Sequence, residues 1–382
     1  SRRHQYYLHN FLVEQPDFNF HHPEVQDWLL STMRFWLERG VDGFRLDTVN
    51  FYFHDALLRN DPADYRRKEK PEWNPYSMQY HIFSKNQPEN LAFLERMRAL
   101  LDEFEARTMV GEMGEDHHPI RMMGEYTSGQ RLHMCYSFEM LKDPFSAHYF
   151  RNLVEEFYTG APHGWPCWAF SNHDVVRHAT RWQKHAVNHE ALAKQAGALL
   201  LSLQGSICIY QGEELGQTES DLDYSELTDP QGLRFWPENK GRDGCRTPMV
   251  WDASKPNAGF SEAKPWLPVK PEQAARSVEG QLNDPHSVLN FYKHMLRLRQ
   301  ASEALKHGTT HFLDTQEPLL AFIRGNNLLC IFNLSPTEQQ AKLSGLVTLV
   351  LAEGVKLNDE QISLAGNGFA LFQIADEVSV SN

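Results

Sequence analysis

Apolar residues recur at near-helical spacing over residues 23–39, where Val25, Trp28, Leu29, Met33, Phe35, Trp36 and Leu37 stand among polar neighbours. Pro23 suits the first turn of such a helix, where a missing N–H costs nothing, and Gly40 supplies a stop. The period then changes: residues 41–47 (VDGFRLD) alternate, which predicts a strand. The same rhythm of strand, turn and helix returns along the chain. Residues 91–106 predict a helix and 108–112 (TMVGE) a strand. A weaker strand is expected at 133–138, another at 165–174, a helix at 190–203 and a short apolar strand at 206–212. Five strands ending near Asp47, Glu112, Phe138, Asp174 and Glu213, interleaved with helices, predict parallel βαβ units. The polar, Pro-bearing stretch 62–76 reads as an excursion loop, and 216–285 as a long irregular segment. After a helix at 287–300, short alternating runs at 319–324, 328–334, 345–351 and 368–374 predict a small antiparallel β domain.

Composition narrows the picture. The chain has 382 residues, 41% hydrophobic and 12% aromatic, enough for a sizeable core. Thirty-seven Lys plus Arg against 50 Asp plus Glu leave a net charge of −13, which argues against nucleic acid or an anionic membrane surface as a partner. The five cysteines (Cys135, Cys167, Cys208, Cys245, Cys330) form no CxxC pair, so neither a disulfide framework nor a zinc ribbon is expected, and a reducing, cytoplasmic setting is the simpler one. No run of 18 apolar residues predicts a membrane span, and residues 1–10 lack the apolar stretch of a signal peptide.

Candidate chemistry gathers at strand ends. Asp47, Glu112 and Asp174 close three predicted parallel strands, the edge at which α/β active sites form. In GFRLD, alternation turns Phe44 and Leu46 one way, Arg45 and Asp47 the other. Arg45 is expected to hold Asp47 ionised, as a nucleophile must be. Glu112, at an apolar strand end, is expected to be desolvated and to keep its proton near neutrality, which suits a general acid. Asp174, preceded by His173, adds a third carboxyl able to bind hydroxyls and steady positive charge. Singly, each acid also fits a helix cap or a loop ion pair. Together, two carboxyls with opposed acidity shifts are what glycoside hydrolysis requires.

The segments GVDGFRLD, VGEMGE and FSNHD, in that order, resemble the alpha-amylase superfamily of glycoside hydrolases, and within it the alpha-glucosidase and oligo-1,6-glucosidase group. Residues 15–19 (QPDFN) and 241–249 (GRDGCRTPM) are similar to motifs of that group. The resemblance implies that Asp47 is the nucleophile, Glu112 the acid/base and Asp174 the transition-state stabiliser of a retaining mechanism. It implies further that Arg45 and His173 surround the first sugar and that Arg242 reaches toward substrate. Thr48, after the nucleophile, would face the leaving-group sugar. A Thr there goes with alpha-1,4 bonds and a Val with alpha-1,6 bonds, unless the side chain merely fills space. Phe138 is a candidate for stacking on the aglycone, or an ordinary core residue.

The fold implied is a partial (β/α)8 barrel, about five of eight strands, followed by a small antiparallel β-sandwich. Residues 1–20 would be the tail of an inserted domain, 21–301 the C-terminal part of the catalytic barrel and 302–382 the all-β domain. The family's first signature, an Asp-x-Val-x-Asn-His run on the third strand, is absent, so the chain is expected to be the C-terminal portion of a longer enzyme. The activity implied is a retaining, exo-acting alpha-glucosidase of short alpha-1,4 oligosaccharides that also transfers glucose to other acceptors. No cofactor is required, and the structural calcium of relatives would lie in the missing N-terminal part. A glucosyl isomerase or trehalose-synthesising relative, or an inactive truncated remnant, are the alternatives. The non-catalytic heavy-chain relatives of transporters lack the three acids. The His pairs 21–22 and 117–118 read as loop residues, Asp221 and Asp223 lack the rest of a calcium loop, and the charged run 66–70 reads as a solvated face.

Overall fold

A computed structural model of the chain describes residues 4–65, 75–115, 117–375 and 377–382. The charged run at 66–70 and part of the excursion loop lie outside the described residues. The chain divides into two compact units, Ser1–Phe138 with Glu156–Pro166, and Glu139–Glu155 with Cys167–Asn382.

The first unit begins with α1 (Pro23–Glu38), opened by Pro23 and left through Gly40 at φ +91°, a conformation glycine adopts without a Cβ clash. Then follow β1 (Gly43–Leu46), α2 (Glu89–Leu101), β2 (Thr108–Met113), α3 (Pro119–Thr127) and β3 (Met134–Ser137). The strands are parallel, in the order β1-β2-β3, with Leu46 opposite Gly111 and Glu112 opposite Tyr136. Helix α2 ends five residues earlier than its pattern suggests. Its buried face closes with Leu100 and Leu101, and Asp102 caps it while accepting a 2.9 Å bond from Arg98. Gly111 is required by packing: a Cβ there would stand 2.6 Å from Leu132 and 3.0 Å from Val49, both buried.

Helix α4 (Ala147–Gly160) begins in the second unit and ends in the first, and in the second unit β4 (Cys167–Trp168) pairs in parallel with β5 (Ser206–Ile207). The strand expected over 165–174 is only two residues long. The Asn172 side chain accepts the Asp174 N–H at 2.8 Å and Ser171 bonds His178, so the chain turns instead of pairing. Between the strands lie α5 (His178–Arg181) and α6 (His189–Ser202). The latter is capped by Asn188 on the Ala191 N–H and buried at every residue from Leu192 to Ser202. The segment expected to be irregular holds three short helices, α7 (Pro230–Phe235), α8 (Pro271–Ala274) and α9 (Val278–Leu282); α10 (Val288–Ala301) and α11 (Glu303–His307) follow.

The C-terminal antiparallel sheet comprises β6 (Thr310–Phe312), β7 (Leu319–Arg324), β8 (Leu328–Asn333), β9 (Gln339–Ser344), β10 (Val347–Asn358), β11 (Gln361–Ile374) and β12 (Ser379–Ser381), ordered β12-β9-β11-β8-β7-β6 with β10 also on β11. Hydrogen bonding joins all seven strands into one sheet instead of two separate ones, because β11 pairs with β9 through its first half and with β8 through its second. Strands β10 and β11 outrun the alternating pattern because two irregularities in their ladder reset the inside–outside phase. Leu329, Ile331, Leu343, Leu364 and Phe372 form the sheet's core. Gln195 of α6 donates to the carbonyls of Asn333 and Gly368, so sheet and helix pack as one body.

Candidate active site

In the first unit the ends of β1, β2 and β3 converge on two carboxyls. Asp47, one residue beyond β1, leaves 71% of its side chain exposed, whereas Glu112 on β2 leaves 4%. Arg45 joins them: one guanidinium nitrogen pairs with Asp47, and the other lies 2.8 Å from Glu112 Oε2 and donates to the Tyr136 hydroxyl at 3.1 Å. Tyr136 donates in turn to Glu112 Oε1 at 3.2 Å. Thr48 adds its backbone N–H to Oε2 at 3.2 Å, from a φ of +42° that a β-branched residue rarely adopts.

These contacts set the protonation. Burial is the largest influence on Glu112, and a hydrogen bond with the Asp47 carboxyl adds to it. The Arg45 charge and the Thr48 N–H oppose both, and the balance pushes Glu112 up to about 7. Tyr136 is pushed up as well, first by burial and then by the Glu112 charge, so it remains a neutral donor. Asp47 and Thr48 open onto a cavity of about 420 Å³ walled by Leu29, Met33 and Trp36 of α1 and by Phe44 and Tyr52.

The second unit holds the other cluster. The Asp174 carboxylate receives Arg242 at 3.0 Å and Arg246 at 2.9 Å on one oxygen, and lies 3.2 Å from His173 Nε2 through the other. Arg246 also donates to the His173 carbonyl at 2.7 Å. Behind Arg242 stands Asp229, whose side chain is 1% exposed. It accepts the Arg242 Nε and Nη2 at 3.0 Å each and the Arg242 backbone N–H at 2.8 Å. Farther in, Arg177 ties the loops together, donating to the carbonyls of Gln211 at 2.8 Å and Cys245 at 3.0 Å.

Of the residues singled out in the sequence, Arg45, Asp47, Thr48 and Glu112 meet in one unit, and His173, Asp174 and Arg242 meet in the other. Phe138 is half-buried just beyond β3 and does not line the cavity. Sequence reasoning missed Tyr136, Arg246 and Asp229. Strand parity was a usable signal for the first, since Tyr136 lies two residues before Phe138 and shares its face. Arg246 stands four residues after Arg242 in the same motif. No local pattern marks Asp229. Among the described residues no group of three or more His, Cys, Asp or Glu is placed to hold a metal, and no helix is long and apolar enough to cross a membrane.

Comparison with known proteins adds a lineage to this geometry. Residues 1–308 match the family described as alpha amylase, catalytic domain. The probable alpha-glucosidase of Rhizobium meliloti (strain 1021) is 50% identical over 372 residues, covering 92% of this chain and 67% of that protein. The oligo-1,6-glucosidase of Heyndrickxia coagulans is 31% identical over 372 residues, covering 87% of this chain and 64% of that protein. Among solved structures, the alpha-glucosyl transfer enzyme XgtA superposes with a TM-score of 0.91 at 46% identity, over 97% of this chain and 71% of that one. The chain thus spans about two thirds of the length of the curated relatives it matches.

Proposed function

The chain belongs to the alpha-amylase family, and from that premise we propose that it is a retaining, exo-acting alpha-glucosidase that releases alpha-glucose from the non-reducing end of short alpha-1,4-linked oligosaccharides. A carboxylate oxygen of Asp47 attacks the anomeric carbon as the glycosidic bond breaks, and the proton on Glu112 passes to the departing oxygen. Glu112, now ionised, takes a proton from water, whose oxygen displaces Asp47 and restores the original configuration. Asp174 steadies the positive charge that develops on the sugar ring in both steps. Arg45 keeps Asp47 ionised, and His173 and Arg242 bind sugar hydroxyls.

The observation that carries this reading is one guanidinium, that of Arg45, in contact with both the exposed Asp47 carboxyl and a buried Glu112 whose pKa is pushed up to about 7. An acid that keeps its proton near neutrality next to an ionised neighbour is the division of labour the reaction needs. The five parallel strands and the share of the relatives covered support reading residues 21–301 as the later part of an eight-stranded barrel, with 1–20 as the tail of an insertion and 302–382 as the all-β domain. Transfer of glucose to acceptors other than water belongs to the same mechanism, since any hydroxyl that outcompetes water takes the glucosyl group. The likeness to an alpha-glucosyl transfer enzyme favours that second reading.

The test is direct. Proton NMR of maltose hydrolysis should show alpha-glucose before mutarotation, and mass spectrometry with a slow-turnover glucosyl fluoride should find one glucosyl unit on Asp47. First-formed beta-glucose, or an unlabelled Asp47, overturns the reading. Thr48 lines the cavity beside the nucleophile, so Thr48→Val should move the maltose-to-isomaltose rate ratio toward isomaltose by about tenfold. An unchanged ratio removes Thr48 from the specificity argument.

A further inference from the structure

We propose that Asp229 is the charge-balancing and positioning residue of the Asp174 cluster, holding Arg242 by two bonds so that the two arginines do not outweigh the Asp174 carboxylate that a cationic sugar meets. Four groups are in ion-pair contact here: Asp174, Arg242, Arg246 and Asp229. Their formal charges cancel. Without Asp229, one carboxylate would face two guanidinium groups, and the cluster would carry a net positive charge where a positive sugar has to form.

The geometry supports a dedicated role. Asp229 is the N-cap of α7 through the Gln231 N–H at 3.3 Å, a duty that one oxygen discharges. Yet both oxygens also grip Arg242, in the parallel two-bond arrangement that fixes a guanidinium plane. Only Nη1 is left for Asp174. Burial pushes the pKa of Asp229 upward, but the Arg242 hydrogen bonds and charge outweigh it, and the net direction is below the ordinary carboxylate value. The Asp229 backbone is itself held: its N–H donates to Asp243 at 2.8 Å, and Thr228 donates to the same carboxylate. A Cβ at Gly241 would stand 2.8 Å from Asp229 Oδ2, so the chain approaches this carboxyl as closely as a glycine permits.

The inference rests on the function proposed for Asp174. Asp229→Asn is the discriminating variant, because asparagine still caps a helix while the charge is removed. Turnover of maltose and binding of two ligands by calorimetry, neutral glucose and a protonated iminosugar of glucose configuration, are measured on the intact protein. The expected result is a kcat lowered about 30-fold with KM changed less than about threefold, and iminosugar affinity lowered about tenfold relative to glucose. Asp229→Glu, which retains the charge, should keep the iminosugar-to-glucose ratio within about twofold of the original even if its thermal stability falls. A parallel loss of both ligands in Asp229→Asn, an unchanged kcat, or a ratio shifted in Asp229→Glu overturns the inference. Asp174→Asn separates the two levels: if it leaves turnover intact, the proposed function fails. If it abolishes turnover while Asp229→Asn is silent, only the role of Asp229 fails.

Discussion

Two buried glutamates, Glu112 in the first unit and Glu213 in the second, are pushed up alike by burial, to about 7 and about 8. Their surroundings differ. Glu112 shares a hydrogen bond with an exposed carboxyl and meets a guanidinium, a tyrosine hydroxyl and a backbone N–H at the end of a parallel strand. Glu213 is fully buried, receives the Tyr292 hydroxyl at 3.2 Å and the Tyr210 N–H at 3.3 Å, and lies 4.0 Å from His178, which burial holds neutral. A proton on Glu112 lies beside a second acid that opens on a cavity. One on Glu213 is enclosed in the core, with the Tyr292 hydroxyl and the Tyr210 N–H as its donors. A raised pKa by itself therefore records burial; a raised pKa beside a solvent-facing carboxyl paired with an arginine points to chemistry.

The largest effect expected from breaking this contrast is on turnover. Glu112→Gln should lower kcat/KM for maltose by about 10³-fold or more and lower it far less for an aryl glucoside whose leaving group needs no proton. Glu213→Gln should stay within about threefold on both, and a collapse on maltose alone would erase the distinction. Next comes Arg45→Gln, expected to cost about 10²-fold. It should also move the basic limb of the kcat/KM profile upward from about pH 7, because removing the cation favours the protonated form of Glu112. A limb that stays in place would assign it to another group.

Stability gives a third, smaller test. Glu213, Glu112 and Glu219 all hold their protons more tightly folded than unfolded, from 4.5 to about 8, 7 and 7. The folded state binds the extra protons, so stability is greatest below about pH 4.5 for these groups and falls as pH rises through about 7–8. Glu213→Gln should flatten that fall and raise Tm at pH 8 by a few degrees, with activity intact. An unchanged fall would mean that Glu213 is ionised in the folded chain. The smallest effect belongs to Tyr136→Phe. Loss of its bond to the ionised Glu112 should lower kcat/KM about threefold to tenfold and lift the basic limb by a few tenths of a pH unit.

Reading the chain in order locates the strand ends at Asp47 and Glu112, because period and punctuation are local properties; Asp174 lies six residues past β4, in a turn that the alternation does not mark. The short helices between 216 and 285 were not legible, since each is held by packing and caps with too few turns to print a period. Tyr136 and Asp229 escaped for a related reason. A tyrosine on a strand and an aspartate before a proline are ordinary residues until a guanidinium from elsewhere meets them.

By itself the sequence determined the alternation of strands and helices, the carboxyls Asp47 and Glu112 at two strand ends and the family those segments resemble, all of which follow from neighbours a few residues apart. Tertiary structure decided which acid holds a proton. That choice depends on burial and on Arg45, Tyr136 and Thr48 reaching Glu112 from two other strand ends. Electrostatic balance is a property of distances through space, and the order of residues along the chain does not contain them.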